Sequence, residues 1–240
     1  MDNDLAEKMK YLRLIELARV WDETMSQAKE KNPSYTAFTK QIIDNEVSAK
    51  KERCRQIRIK KSKVESMYLF ETYPFSLQPN LSKKKFSEIL DSMTYMTKKQ
   101  NVIFIGPTGV GKTGLATAML IHAINKEFSG RFITFPDLLN ELYKSSADHS
   151  EKKVLHKFLS YDCLIVDELG YVEIDPHQAG LFFTLMKQRH KKSTTIVTTQ
   201  LGFKEWTGFL KNSHLTAALI DRLTENSQLI NLGKCQSIRK

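Results

Sequence analysis

Residues 106–114 read GPTGVGKTG, an order of residue types suited to gripping a chain of phosphates. Gly106, Gly109 and Gly111 leave the backbone uncovered, so successive N–H groups can face phosphate oxygens with no Cβ in the way. Pro107, Thr108, Val110 and Gly114 complete the loop. Lys112 is placed to reach the β- and γ-phosphates, and the Thr113 hydroxyl to ligate Mg²⁺. The ligands this chemistry implies are a nucleoside triphosphate and Mg²⁺.

A second constellation decides what happens to the nucleotide. In LIVDEL (164–169) an apolar run ends in two adjacent carboxylates. Asp167 suits the Mg²⁺ shell. Glu168, one residue further, suits a base that orients and deprotonates an attacking water. The bland reading is a pair of acids in a strand-end loop. Against it, a buried strand seldom ends in two unpaired carboxylates without a cation nearby. The pair argues for a hydrolase over a small-molecule kinase, which has no need of Glu168 as a base, and over a non-hydrolysing nucleotide-dependent adaptor.

These groups need elements to position them. Asn101–Ile105 is short, apolar and β-branched, which predicts a buried parallel strand running into the loop, and a helix follows over 112–125. The helix N-terminus adds partial positive charge where the phosphates would lie. Strands are expected at 131–135, 163–168, 194–199 and 228–232. Helices are expected at 136–147, 151–159, 176–191, 203–210 and 214–224, with Asp175 as cap and Pro176 in the first turn. Such alternation predicts a parallel sheet covered by helices on both faces.

The first hundred residues differ in character. Leu12, Leu14, Ile15, Leu17, Ala18 and Trp21 give helical spacing across one segment, which Asn32-Pro33-Ser34 breaks; Ser34 can cap a second helix carrying Phe38, Ile42, Ile43 and Val47. Its continuation, KKERCRQIRIKKSK (50–63), holds Lys50, Lys51, Arg53, Arg55, Arg58, Lys60, Lys61 and Lys63 against Glu52 alone, a net of +7. This is either a nucleic-acid contact or a solvated basic face. Residues 72–81 predict an extended linker, in which Tyr73 and Phe75 either pack on an adenine base or anchor the linker. A lead-in helix is expected over roughly 82–97. The domains expected are therefore 1–70, helical, basic and DNA- or partner-binding; 71–100, linker and lead-in helix; and 101–240, the nucleotide domain.

Composition sets bounds on this picture. A chain of 240 residues, 41% hydrophobic, accommodates one α/β domain and an appendage. The formal net charge of +10 favours an anionic partner. No apolar run is long enough for a membrane span, and MDNDLAEKMK is no secretory signal. Cys54, Cys163 and Cys235 are scattered without metal-ligand spacing, as in a cytoplasmic protein with reduced thiols.

FIGPTGVGKTGLATAM, LIVDELGY, TTIVTTQLGFKEW and LTAALIDRL resemble, in order and spacing, AAA+ ATPases of the IstB type, bacterial helpers of insertion-sequence transposition related to DnaC-type helicase loaders. The resemblance extends to SYTAFTKQIIDNEVSAKKER near the N-terminus. It implies an AAA+ P-loop NTPase fold preceded by a helical domain. It makes Gln200, where the family usually has asparagine, the sensor of the γ-phosphate, with Thr199 as second candidate. Gly202 stands where the family often has proline. Arg222 resembles the arginine finger that completes a neighbouring protomer's site; its plainer reading is a surface salt bridge. The implied partners are duplex DNA, a transposase and further copies of the chain in an ATP-dependent head-to-tail oligomer, in the bacterial cytoplasm. The DNA contacts would come from Lys50, Lys51, Arg53, Arg55, Arg58, Lys60 and Lys61, and from a sheet-edge cluster of Lys187, Arg189, His190, Lys191 and Lys192. The competing reading is a replicative helicase loader acting with single-stranded DNA.

Overall fold

All five apolar runs become strands: β1 (Asn101–Ile105), β2 (Gly130–Thr134), β3 (Cys163–Leu169), β4 (Thr194–Thr199) and β5 (Ser227–Asn231). They make one parallel sheet in the order β2-β3-β4-β1-β5. The computed structural model describes residues 1–78, 81–147 and 149–238. Alternation along the strands sends successive side chains to opposite faces. Val102, Phe104, Ile165 and Ile196 pack on one face under α7 (Lys112–Asn125), together with α5 (Lys83–Ser92) and α6 (Thr94–Thr97). Ile103, Leu164, Val166 and Val197 pack on the other. The helices there are α8 (Phe135–Ala147), α9 (Glu151–Leu159), α10 (Pro176–Arg189), α11 (Trp206–Leu210) and α12 (Ser213–Thr224). The expected doubly covered sheet is present. Asp175 and Gln178 close a reciprocal cap at the start of α10, beside Pro176, as expected.

The chain divides into two compact units, Met1–Ile57 and Arg58–Lys240. In the first, the expected single helix before residue 32 is three: α1 (Asn3–Tyr11), α2 (Ile15–Arg19) and α3 (Trp21–Lys31). Arg13 takes a φ of 58° and ends the first of them, a break that apolar spacing alone does not show. Then α4 (Tyr35–Ser62) carries the whole basic run as far as Ser62. Ser34 Oγ accepts the Ala37 N–H at 3.3 Å, as the cap assignment requires. Glu46, on α4, accepts the N–H groups of Glu16 and Leu17 at 2.8 and 2.9 Å and an Arg53 N–H at 2.9 Å. The lead-in helix is also divided, at Met93 with φ 50°. Among the described residues no helix is long and apolar enough to cross a membrane.

Candidate nucleotide-binding site

The loop after β1 and the ends of β3 and β4 meet at one end of the sheet, the end where parallel sheets carry their ligands. They border a cavity of about 420 Å³ whose walls include Gly109, Lys112, Thr113, Glu168, Thr198 and Tyr73. Gly109 and Gly111 both have φ 86°, a conformation that L side chains rarely adopt, so glycine is required at these two turns. Lys112 is buried; its Nζ donates to the carbonyls of Gly106 and Pro107 at 2.9 and 2.8 Å, tethered to the rim it would leave for a phosphate.

Thr113 Oγ1 lies 3.0 and 3.1 Å from the two Asp167 carboxylate oxygens. Asp167 is 4% exposed. Burial pushes its carboxyl above the usual range, against the opposing pull of the Thr198 and Thr113 hydroxyls and of Lys112. A hydroxyl and a single carboxylate at this spacing form an all-oxygen set of the kind Mg²⁺ takes when phosphates supply further ligands, so these residues fit that ion. Among the described residues no group of three or more His, Cys, Asp or Glu side chains could hold a metal.

The end of β3 is irregular. Val166 pairs with Val197, but Leu169 pairs with Thr199, so the register shifts between them. Two residues of β3 therefore share the place opposite Thr198, and Glu168 is the one expelled, exposed in an otherwise buried strand. Its φ is 61°, which costs a residue with a Cβ about 1–2 kcal/mol. Thr198 Oγ1 donates to Asp167 Oδ1 at 2.5 Å and accepts the Glu168 N–H at 3.0 Å. Sequence reasoning passed over Thr198.

The other expected residues divide. Gln200 Oε1 accepts from Thr108 Oγ1 at 3.2 Å, and Tyr171 Oη lies 3.3 Å from the same hydroxyl. Thr199 is turned from the cavity: its hydroxyl donates to Leu169 O and accepts the Leu201 N–H. Tyr73 lines the cavity and donates to Val110 O at 2.7 Å, its phenol pushed up to about 12 by burial. Phe75 instead packs against Phe70 and Phe86, a core anchor. Arg222 is not brought to this cavity. It donates to Ala218 O at 2.7 Å and lies 4.9 Å from the Phe183 ring, on the helix that leads to the opposite end of β5.

The basic cluster at 187–192 needs correcting on two counts. It precedes β4, an inner strand, so it is not at a sheet edge. Arg189 is buried, its guanidinium donating to the carbonyls of Phe158, Tyr161 and Thr194 and to Thr195 Oγ1. Burial brings it down to about 10, and it serves as an internal brace that no phosphate can reach. His190 and Lys191 both pair with Glu225. Of the 50–63 run, Lys50, Lys60, Lys61 and Lys63 are exposed, whereas Arg53 and Arg55 pair with Glu46 and Glu52.

A segment absent from the sequence expectations also reaches the loop. Beyond β5, the Leu232 N–H donates to Ile105 O at 2.7 Å and the Ile238 N–H to Gly109 O at 2.9 Å. Between them, the buried Gln78 amide exchanges both its hydrogen bonds with the backbone of Gln236, at 2.5 and 3.0 Å. Ile238 thereby joins the cavity wall.

Residues 7–240 match the family model described as IstB-like ATP binding protein. The ATP-binding protein named for insertion sequence IS5376 of Geobacillus stearothermophilus is 32% identical over 241 residues, spanning 100% of this chain and 96% of that protein. The corresponding protein of IS21 from Pseudomonas aeruginosa is 27% identical, over 96% of this chain and 86% of its own length. Among solved structures, the DnaC helicase loader superposes with a TM-score of 0.59 at 22% identity, covering 68% of this chain and 96% of that one. AMPPCP-bound DnaA from Aquifex aeolicus gives 0.57 at 16% identity, over 70% and 51%. At these identities the likeness is one of fold, and that fold is the AAA+ P-loop architecture.

Proposed function

The chain belongs to the IstB-like ATP-binding proteins, and on that premise we propose that it hydrolyses ATP, assembles on duplex DNA and assists a transposase. The observation that carries the hydrolytic part is that Thr113 and Glu168 line one cavity with the glycine loop, with Asp167 bonded to Thr113 behind it. The loop amides and Lys112 bind the phosphates, Lys112 exchanging the Gly106 and Pro107 carbonyls for phosphate oxygens. Thr113 and Asp167 would hold Mg²⁺, which when bound would supply neutralisation of phosphate charge. Glu168, lifted out of the strand, orients an attacking water and takes its proton. Gln200, bonded to the loop through Thr108, reports the presence of the γ-phosphate.

Arg222 acts in a neighbouring protomer. It lies outside its own chain's cavity, so any role in stabilising transferred charge requires a head-to-tail contact. The 1–70 region meets DNA or protein partners, the 71–100 segment links, and 101–240 is the ATPase. Duplex DNA is met by the basic run at Lys50, Lys51, Arg53, Arg55, Arg58, Lys60 and Lys61, with Arg53 also bracing Glu46. The relatives are named for the insertion sequences that carry them, which supports a transposase as the partner over a helicase.

Mixing variants tests the whole reading. Lys112→Ala is expected to lose ATP binding, while Glu168→Gln binds ATP and turns over about 10²–10⁴-fold more slowly. Arg222→Ala and Glu168→Gln, each nearly inactive alone, regain activity when mixed, because about a quarter of head-to-tail interfaces then pair two intact residues. No recovery, with both variants assembling on ATP, would sink the shared site. Tighter binding to single-stranded than to duplex DNA would favour the loader reading.

A further inference from the structure

We propose that Thr198 is a positioning residue that sets the cation ligand and the water-facing glutamate together. The inference rests on the reading of Glu168 and Asp167 given above. Three observations carry it. The register shift expels Glu168 from the ladder, so its N–H has lost a regular strand partner; the Thr198 hydroxyl takes its place at 3.0 Å. The same hydroxyl gives its one proton to Asp167 Oδ1 at 2.5 Å, which fixes the carboxylate beside Thr113. Thr198 borders the cavity yet is only 1% exposed, its hydroxyl held between these two partners.

The geometry makes hydroxyl chemistry the requirement. One O–H donor faces the aspartate and a lone pair faces the amide, and both partners belong to consecutive residues. A group able only to donate would leave the bulge without its tie. A group able only to accept would leave the carboxylate free to turn from Thr113. Ile196 and Thr198 point to the same side of β4, toward α7, whereas Thr199 points to the other side and makes its bonds to Leu169 and Leu201. Thr198 is therefore the position on this strand from which one side chain reaches both groups. Its effect passes through Asp167 and Glu168, the two partners of its hydroxyl.

The test compares Thr198→Val, which keeps the shape and loses the hydroxyl, with Thr198→Ser, which keeps the hydroxyl and loses a methyl. Three quantities are read on the full chain: ATP affinity in EDTA, the Mg²⁺ concentration giving half-maximal tightening of a fluorescent ATP analogue, and turnover. In Thr198→Val, ATP affinity in EDTA should stay within about 3-fold, since Lys112 and the loop amides are untouched, while the Mg²⁺ requirement rises and turnover falls, each by about 10–100-fold. Thr198→Ser should restore both to within about 3-fold. If Thr198→Val does not fold, Thr198→Cys, with its weaker donor and acceptor, must fall below Thr198→Ser in both quantities. An unmoved Mg²⁺ requirement in Thr198→Val, or Thr198→Ser as impaired as its comparator, overturns the proposal. Absence of turnover in the unaltered chain would instead refute the hydrolytic reading and leave the Mg²⁺ measurement to decide the role of Thr198.

Discussion

Two carboxylates are covered from solvent to a similar extent, one in each unit, and their surroundings treat them in opposite ways. Glu46 is 8% exposed and Asp167 4%. Burial raises both, but around Glu46 it is outweighed by the Leu17 N–H, the Arg53 guanidinium and the Glu16 N–H, which leave the carboxyl below its ordinary value. Around Asp167 burial wins, because the strongest opponents are two neutral hydroxyls. The first carboxylate is satisfied by its own unit. The second is under-compensated, the setting into which the proposed Mg²⁺ would fit. Burial alone thus does not separate the two; what distinguishes Asp167 is the balance left after its partners are counted.

The sharpest way to break this contrast is to remove the satisfied member. Glu46→Ala strips two N–H groups at the start of α2 and a guanidinium of their acceptor, an expected loss of about 2–3 kcal/mol. For a unit of that size each kcal/mol lowers the melting temperature by about 4–8 °C, while nucleotide binding by residues 58–240 should persist. In the unaltered chain the depressed pKa makes this stability present above an unfolded value near pH ~4.3 and lost as pH falls through the lower folded one. Acid denaturation read separately in the two units checks the sign.

A smaller effect separates bracing charge from free charge on α4. Replacing Lys50, Lys60 and Lys61 with Ala should make the salt dependence of duplex binding shallower by up to about 2.7 in log–log slope, at about 0.9 per phosphate contact. Arg53→Ala should, beyond any effect on DNA, lower the stability of residues 1–57, through Glu46. An unchanged slope in the triple variant would make those lysines a solvated face.

The smallest shift belongs to Asp167→Asn in metal-free protein. A raised folded pKa means that folding favours the proton, so stability is full below an unfolded value near pH ~3.9 and declines as pH rises through the folded one. The neutral amide escapes that decline. At pH 7 in EDTA the variant should melt higher, each kcal/mol gained reading as about 2–4 °C, and Mg²⁺ should no longer tighten nucleotide binding. A lower melting temperature would mean that Asp167 is already satisfied.

Much of this site was legible because its signals are local. The glycine loop and the Asp-Glu pair are contiguous in sequence, and their strands are apolar runs of ordinary length. Thr198 was not legible because all six residues of β4 are buried, which erases the alternation that would tell one face from the other. Only the register, with its shift at Glu168, sets Thr198 beside Asp167. Arg189 misled for the opposite reason: it sits among Lys187, His190, Lys191 and Lys192 and looked like one more surface cation, while its four acceptors come from residues 158 to 195. The segment ending at Ile238 has neither periodicity nor motif, and its anchors, Gln78 and Gly109, are more than a hundred residues away.

That segment makes the phosphate loop the shared substrate of two guests, one diffusing and one tethered. Ile238 occupies the Gly109 carbonyl while the loop amides remain for phosphate. Two guests on one loop are coupled in free energy by the same amount in either direction. If ATP turns the Gly109 carbonyl, it loosens Ile238; if it stiffens the loop, it tightens Ile238. In both cases amide exchange at Ile238 becomes a gauge of occupancy, and exchange indifferent to ATP would show the coupling to be nil. Through the Leu232 N–H on Ile105 the gauge is geared to β5, an outer strand, so the state of the loop is relayed to the edge of the sheet.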